Sequence, residues 1–131
     1  KKNRTGLIFV YTGNGKGKTT AAIGAAVRAA GQGLRVLIIQ FMKGSLESAL
    51  KKHWRNVIAH HDPAIWQIGF VRSRAFESID ILRAQQGLQA FKTAVTSESY
   101  DMIILDEINV AVHFGLLNIE DVLAIIRNKP T

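Results

Sequence analysis

Residues 12–20 read Thr12-Gly13-Asn14-Gly15-Lys16-Gly17-Lys18-Thr19-Thr20. An apolar, β-prone run, Leu7-Ile8-Phe9-Val10-Tyr11, precedes them, and a small-residue run, Ala21-Ala22-Ile23-Gly24-Ala25-Ala26, follows. Strand, glycine-rich loop and helix in that order form the setting of a phosphate-binding P-loop. The three glycines let the backbone curl so that several N–H groups point into one concavity. A helix beginning near Lys18 adds the positive end of its dipole to that cavity. Lys18 brings a full positive charge to the phosphates, and the Thr19 hydroxyl is placed to ligate Mg²⁺. The strict pattern has glycine at position 12; here that residue is Thr12, and Gly13 stands one residue later. A glycine-rich turn with exposed lysines is the competing interpretation, and the flanking strand and helix weigh against it. The expected nucleotide-binding residues are Gly13, Asn14, Gly15, Lys16, Gly17, Lys18, Thr19 and Thr20.

A chain of 131 residues fits one nucleotide-binding domain, residues 1–131, large enough to bury a core. No apolar run is long enough to span a bilayer, so no membrane partner is expected. The basic start followed by residues 7–11 is no signal peptide, because the apolar part gives way at once to Gly, Asn and Lys. The absence of cysteine rules out a disulfide framework and a thiolate metal site, and it points to the cytoplasm. Seventeen Lys and Arg against ten Asp and Glu leave +7, which suits a polyanionic partner. ATP, nucleic acid and an acidic protein all satisfy that charge.

Residues 7–11 predict a first strand buried on both faces. A helix is expected from about residue 18 to residue 30, with Gly31-Gln32-Gly33 as its stop. Residues 35–41 form the second expected strand. A strand–helix–strand unit of this length implies a right-handed crossover and a parallel sheet. Gln40-Phe41-Met42-Lys43-Gly44 then lies at the carboxyl edge, where open α/β sheets bind ligands, and Lys43 joins the candidate nucleotide contacts. Ser45 could cap a short helix through residue 53 or 54, Asp62-Pro63 signals a turn, and residues 65–70 are a strand or an ordered loop. Helical spacing runs from residue 73 to about 95, with Gly87 interrupting it. Met102-Ile103-Ile104-Leu105 predicts a third strand. A last helix is expected with Asn118 as its cap and Leu117 stapled to Val122, running to about Arg127 before Pro130.

The third strand ends in Asp106-Glu107. Downstream of a P-loop this resembles a Walker B element, whose carboxylate must stand near the Thr19 hydroxyl to hold Mg²⁺ or its waters. Thr19 and Asp106 are thus the expected metal residues. Lys18, Asp106 and Glu107 are the expected catalytic set, with Glu107 orienting a nucleophile or a water. His60-His61 with Asp62 suits a solvated loop better than a metal site, because adjacent residues on a strand face opposite ways. His113-Phe114 is open to a packing or a pocket role. Trp66, Phe70 and Phe76 could line a wall for a ring-shaped ligand, although core packing suits each of them better. Residues 45–80 combine these rings with Lys51, Lys52, Arg55, Arg72 and Arg74. A lid that orders around a ligand and an ordinary packed strand and helix are both open there.

Three stretches together resemble the P-loop type of ATP:cob(I)alamin (corrinoid) adenosyltransferase: residues 12–20, Gln40-Phe41-Met42-Lys43-Gly44, and Leu105-Asp106-Glu107-Ile108-Asn109. The likeness is good over residues 6–44 and 100–130 and poor over residues 45–99. It implies a three-layer, mainly parallel α/β sheet of the RecA-like P-loop NTPase kind. The family continues with a further strand and helix, so the expectation is either a C-terminally shortened chain or a paralogue that has lost part of the fold. It implies ATP and a corrinoid as substrates, Mg²⁺, and transfer of the 5′-deoxyadenosyl group of ATP to reduced cobalt with release of triphosphate. It leaves room for an electron-donor protein and a homodimer. The family often carries a second aromatic after its Gly-Phe pair; here Gly69-Phe70 runs into Val71-Arg72-Ser73-Arg74.

Two rival functions fit the same phosphate site. One is a RecA-like nucleic-acid-dependent ATPase, favoured by the net charge and by Arg72, Arg74 and Arg83. Against it, no basic stripe interleaved with aromatics is present. The other is an ATP-binding paralogue without turnover.

Overall fold

The alanine-rich run after the glycine loop forms α1, Lys18–Gly31, as its helix propensity dictates. Gln32 caps it, and Gly33, at φ 79°, turns the chain into β1, Val36–Gln40. The computed structural model describes residues 6–41, 64–67 and 78–130. The remaining elements are β2 (Ala64–Gln67), α2 (Ser78–Ser97), β3 (Met102–Asp106), α3 (Ile108–His113) and α4 (Ile119–Arg127). All three strands run parallel in the order β2-β1-β3. Every residue of β1 is buried, as the central strand of a parallel sheet must be.

Alternation along β1 sends its side chains to two separate cores. Leu37, Ile39 and Phe41 join Ala84, Leu88, Phe91, Ala94 and Val95 of α2, Ala111 of α3, and Val122 and Ile125 of α4. Val36 and Ile38 join Ala26, Ala29 and Ala30 of α1. Each buried Val, Leu, Ile or Phe contributes roughly 1.5–3 kcal/mol, and β1 supplies such side chains to both cores. At the amino ends of the strands, Asp101 Oδ2 accepts from the Arg35 N–H at 2.8 Å and from Arg35 Nε at 3.1 Å.

The expected helices near residues 18–30 and 119–127 are present, as are the strands over residues 35–41 and 102–105. The helix expected from residue 73 to about 95 is seen as α2 from Ser78 on, residues 73–77 lying outside the described residues. Asn118 is the cap of α4, its side chain accepting from the Glu120 N–H at 2.9 Å. Of the stretch 65–70, residues 65–67 belong to a strand, and residues 68–70 lie outside the described residues. α2 runs straight through Gly87, because the missing side chain is what lets the helix approach Phe41.

One expectation is overturned. Residues 7–11 are not a buried strand: they are irregular, and Leu7 and Phe9 are about three-quarters exposed. Apolar sequence reports a tendency to be buried, but burial needs a covering neighbour. This stretch forms no ladder with β3 and has no helix over it among the described residues. The strand–helix–strand crossover expected around α1 is therefore not formed, and the parallel sheet is built from the three later strands instead. A second difference is α3, a six-residue helix directly after Glu107 that the sequence reading did not anticipate.

Candidate active site

Glycines shape the loop ahead of α1. Gly13 and Gly17 have φ of 123° and 106°, left-handed values that a side chain would strain. Among the described residues, a Cβ on Gly13, Gly15 or Gly17 would meet nothing within 4 Å, so none of them packs against the loop at these positions. The helical ladder opens with the Ala21 N–H donating to the Gly17 carbonyl at 2.9 Å. The first-turn N–H groups precede that ladder and stand at the positive end of the helix, the usual seat of a phosphate. Lys18 Nζ turns back into the loop, donating to the carbonyls of Gly13 at 2.7 Å and Gly15 at 2.5 Å. Its ammonium is thereby held over the concavity. Asn14, Lys16 and Thr20 are exposed around the rim.

The second half of the site comes from the carboxyl ends of β1 and β3. Thr19 Oγ1 donates to Asp106 at 3.1 Å from Oδ1 and 3.3 Å from Oδ2. Asp106 is buried, and it stands in register with Gln40 on the neighbouring strand. Residues paired in a parallel ladder point to the same face, and Gln40 Nε2 reaches Asp106 Oδ2 at 3.2 Å. The Phe41 N–H continues the backbone pairing, donating to the Asp106 carbonyl at 3.0 Å. A hydroxyl and a carboxylate brought together beside a phosphate cradle are hard oxygen donors of the kind Mg²⁺ takes. No group of three or more His, Cys, Asp or Glu that could hold a metal occurs among the described residues.

Glu107 follows in the left-handed conformation, φ 61° and ψ 22°, and starts α3 without a side-chain cap. An ordinary residue held so stores roughly 1–2 kcal/mol of strain, which is typical of functional turns.

A match to the family model of ATP:corrinoid adenosyltransferase BtuR/CobO/CobP covers residues 4–131. The chain belongs to the ATP:corrinoid adenosyltransferase family. Among relatives, the corrinoid adenosyltransferase of Escherichia coli K12 is 34% identical over 98% of this chain and 65% of its own length. That of Pseudomonas aeruginosa is 30% identical over 98% of the chain and 64% of its length. Corrinoid adenosyltransferase CobA of Salmonella typhimurium is 34% identical over 95% and 63%. The chain thus spans a little under two thirds of these relatives.

Within this corrinoid adenosyltransferase family member, the structure brings together Lys18, Thr19 and Asp106 from the expected set, with Gly13, Gly15 and Gly17 shaping the loop. Lys43 lies outside the described residues, as do His60, His61, Phe70 and Phe76. Trp66 falls in β2, and its side chain is not described. His113 and Phe114 pack edge-to-face with ring centroids 5.3 Å apart, at the opposite end of α3 from Glu107. The sequence reading noted Gln40 only as part of a stretch. Its signal was present all the same: Gln40 is the lone polar residue of a strand that is otherwise Val-Leu-Ile-Ile. No helix of the described residues is long and apolar enough to cross a membrane.

Proposed function

We propose that this chain is a single nucleotide-binding domain that transfers the 5′-deoxyadenosyl group of ATP to a reduced corrinoid. Family membership supports the reaction class, and the Thr19–Asp106 contact at 3.1 Å carries the assignment of the site, because it joins the phosphate loop to the acidic strand end. The same reading takes the three parallel strands and their two cores as part of a three-layer, RecA-like arrangement.

In this reaction Co(I) of the corrinoid donates an electron pair to C5′ of ATP. The C5′–O bond breaks, and triphosphate leaves with the bonding pair. Negative charge grows on the departing triphosphate rather than on a transferred phosphoryl group. The loop N–H groups and the Lys18 ammonium stabilise that charge, being oriented before the reaction begins. Thr19 and Asp106 would hold Mg²⁺, which when bound neutralises part of the triphosphate charge. No protein nucleophile is needed, since the corrinoid supplies it; the protein's work is to hold C5′ in line with the cobalt. Glu107, at the turn after Asp106, orients groups around that site. The reading calls for an external electron donor to deliver Co(I).

The test is to mix the protein with ATP, Mg²⁺ and chemically reduced cobalamin and follow the corrinoid absorption spectrum. Appearance of the adenosylated spectrum with release of triphosphate is expected. ATP binding without that change would reduce the protein to an ATP-binding paralogue. ATP hydrolysis stimulated by single-stranded DNA would point to the nucleic-acid-dependent ATPase instead.

A further inference from the structure

Gln40 is 2% exposed at the end of a strand whose other side chains are all aliphatic. A buried primary amide is costly unless its hydrogen bonds are made, so it stays at such a position only where it has a partner. Here the partner is Asp106 Oδ2 at 3.2 Å, and against a carboxylate the amide must present its N–H side. The register pairing of Gln40 with Asp106 sets the two Cα atoms side by side, and the burial of both side chains leaves the amide little room to turn away. Thr19 is different. Its hydroxyl donates to the same carboxylate, yet it comes from the loop side and is the group that would turn its lone pair toward a cation.

We propose that Gln40 is a positioning residue for the metal–nucleotide site. It anchors Oδ2 of Asp106 from within the sheet, so that the carboxylate keeps its direction when the Thr19 hydroxyl changes partner. The proposal rests on the nucleotide and Mg²⁺ reading above. A glutamine that merely filled space would affect the fold, or ATP binding in general. One that positions Asp106 affects the part of ATP affinity that depends on the metal.

The experiment measures binding of a fluorescent ATP analogue to the whole chain, in Mg²⁺ and in EDTA, without corrinoid. The ratio of the two dissociation constants is the coupling between metal and nucleotide. In Gln40→Met, similar in volume but unable to donate, that ratio is expected to fall about tenfold, the usual loss when a partner behind a metal ligand is removed. The EDTA affinity should be unchanged. An unchanged ratio, or equal weakening in Mg²⁺ and in EDTA, overturns the proposal. If Gln40→Met does not fold, Gln40→Asn, which withdraws the amide by one methylene, is measured and judged in the same way. Failure of both to fold also overturns it, because the role is then structural. If Mg²⁺ does not tighten nucleotide binding in the unaltered protein, the nucleotide–metal reading itself fails. If it does tighten binding and the Gln40→Met ratio matches, only the role of Gln40 fails.

Discussion

Gly87 of α2 and Phe41 at the end of β1 occupy one another's space: a Cβ on Gly87 would stand 2.8 Å from Phe41 Cε1. Phe41 is fully buried within the core formed with α2 and its neighbours, so the ring cannot swing clear cheaply. Alanine in place of a mid-helix glycine ordinarily gains up to about 1 kcal/mol, whereas forcing extra volume into a packed core costs roughly 1–3 kcal/mol. The clash wins. Gly87→Ala should therefore lower the melting temperature by a few degrees, as a circular-dichroism melt would show. A raised melting temperature would mean that the ring has room.

Much of this arrangement was legible in the sequence, for identifiable reasons. The strand Val36–Gln40 announces itself because a strand buried on both faces must be continuously apolar, and the half-buried Met102–Asp106 beside it carries a similar apolar run. The cap at Asn118 follows from the need to satisfy the first N–H groups of a helix. The meeting of Thr19 with Asp106 was foreseeable because a phosphate loop needs an acidic strand end. Residues 7–11 misled because the same apolar signal does not say which neighbour will cover it. α3 was missed because six residues are too few for a periodic pattern, and its start depends on the left-handed φ of Glu107, a conformation that glutamate does not advertise.

Lys18→Ala removes the ammonium that donates into the loop. Its present partners are two exposed loop carbonyls, of Gly13 and Gly15, so little of the fold depends on it. Removing a charge-stabilising donor from a preorganised site costs about 3–4 kcal/mol, or roughly a hundred- to a thousandfold in rate. Steady-state adenosylation should fall by that factor with the melting temperature nearly unchanged. Parent-like kinetics in the mutant would remove Lys18 from the site.

Glu107 offers a comparison of two truncations. Glu107→Ala and Glu107→Gly lose the same side chain, and only the glycine relaxes the backbone at φ 61°. The glycine variant should be the more stable by about 1 kcal/mol, although both should lose turnover. Equal urea midpoints would mean that the turn adjusts without strain.

Asp106→Asn tests the metal role of the acidic strand end while preserving its shape. The Thr19 hydroxyl can still donate to the asparagine oxygen, and the Gln40 amide can turn over to accept from the new NH₂ group. The buried hydrogen bonds at the end of β1 and β3 therefore survive, and the fold should hold to within about 1 kcal/mol. What is lost is the negative charge facing the cation. Mg²⁺ keeps most of its waters and relies on one or two carboxylates from the protein. Losing one should raise the Mg²⁺ concentration for half-maximal turnover by at least about tenfold. ATP affinity in EDTA should be preserved or slightly improved, since a negative charge has been taken from beside the triphosphate. A Mg²⁺ titration that overlays the parent's would make Asp106 only the end of a strand held by Thr19 and Gln40.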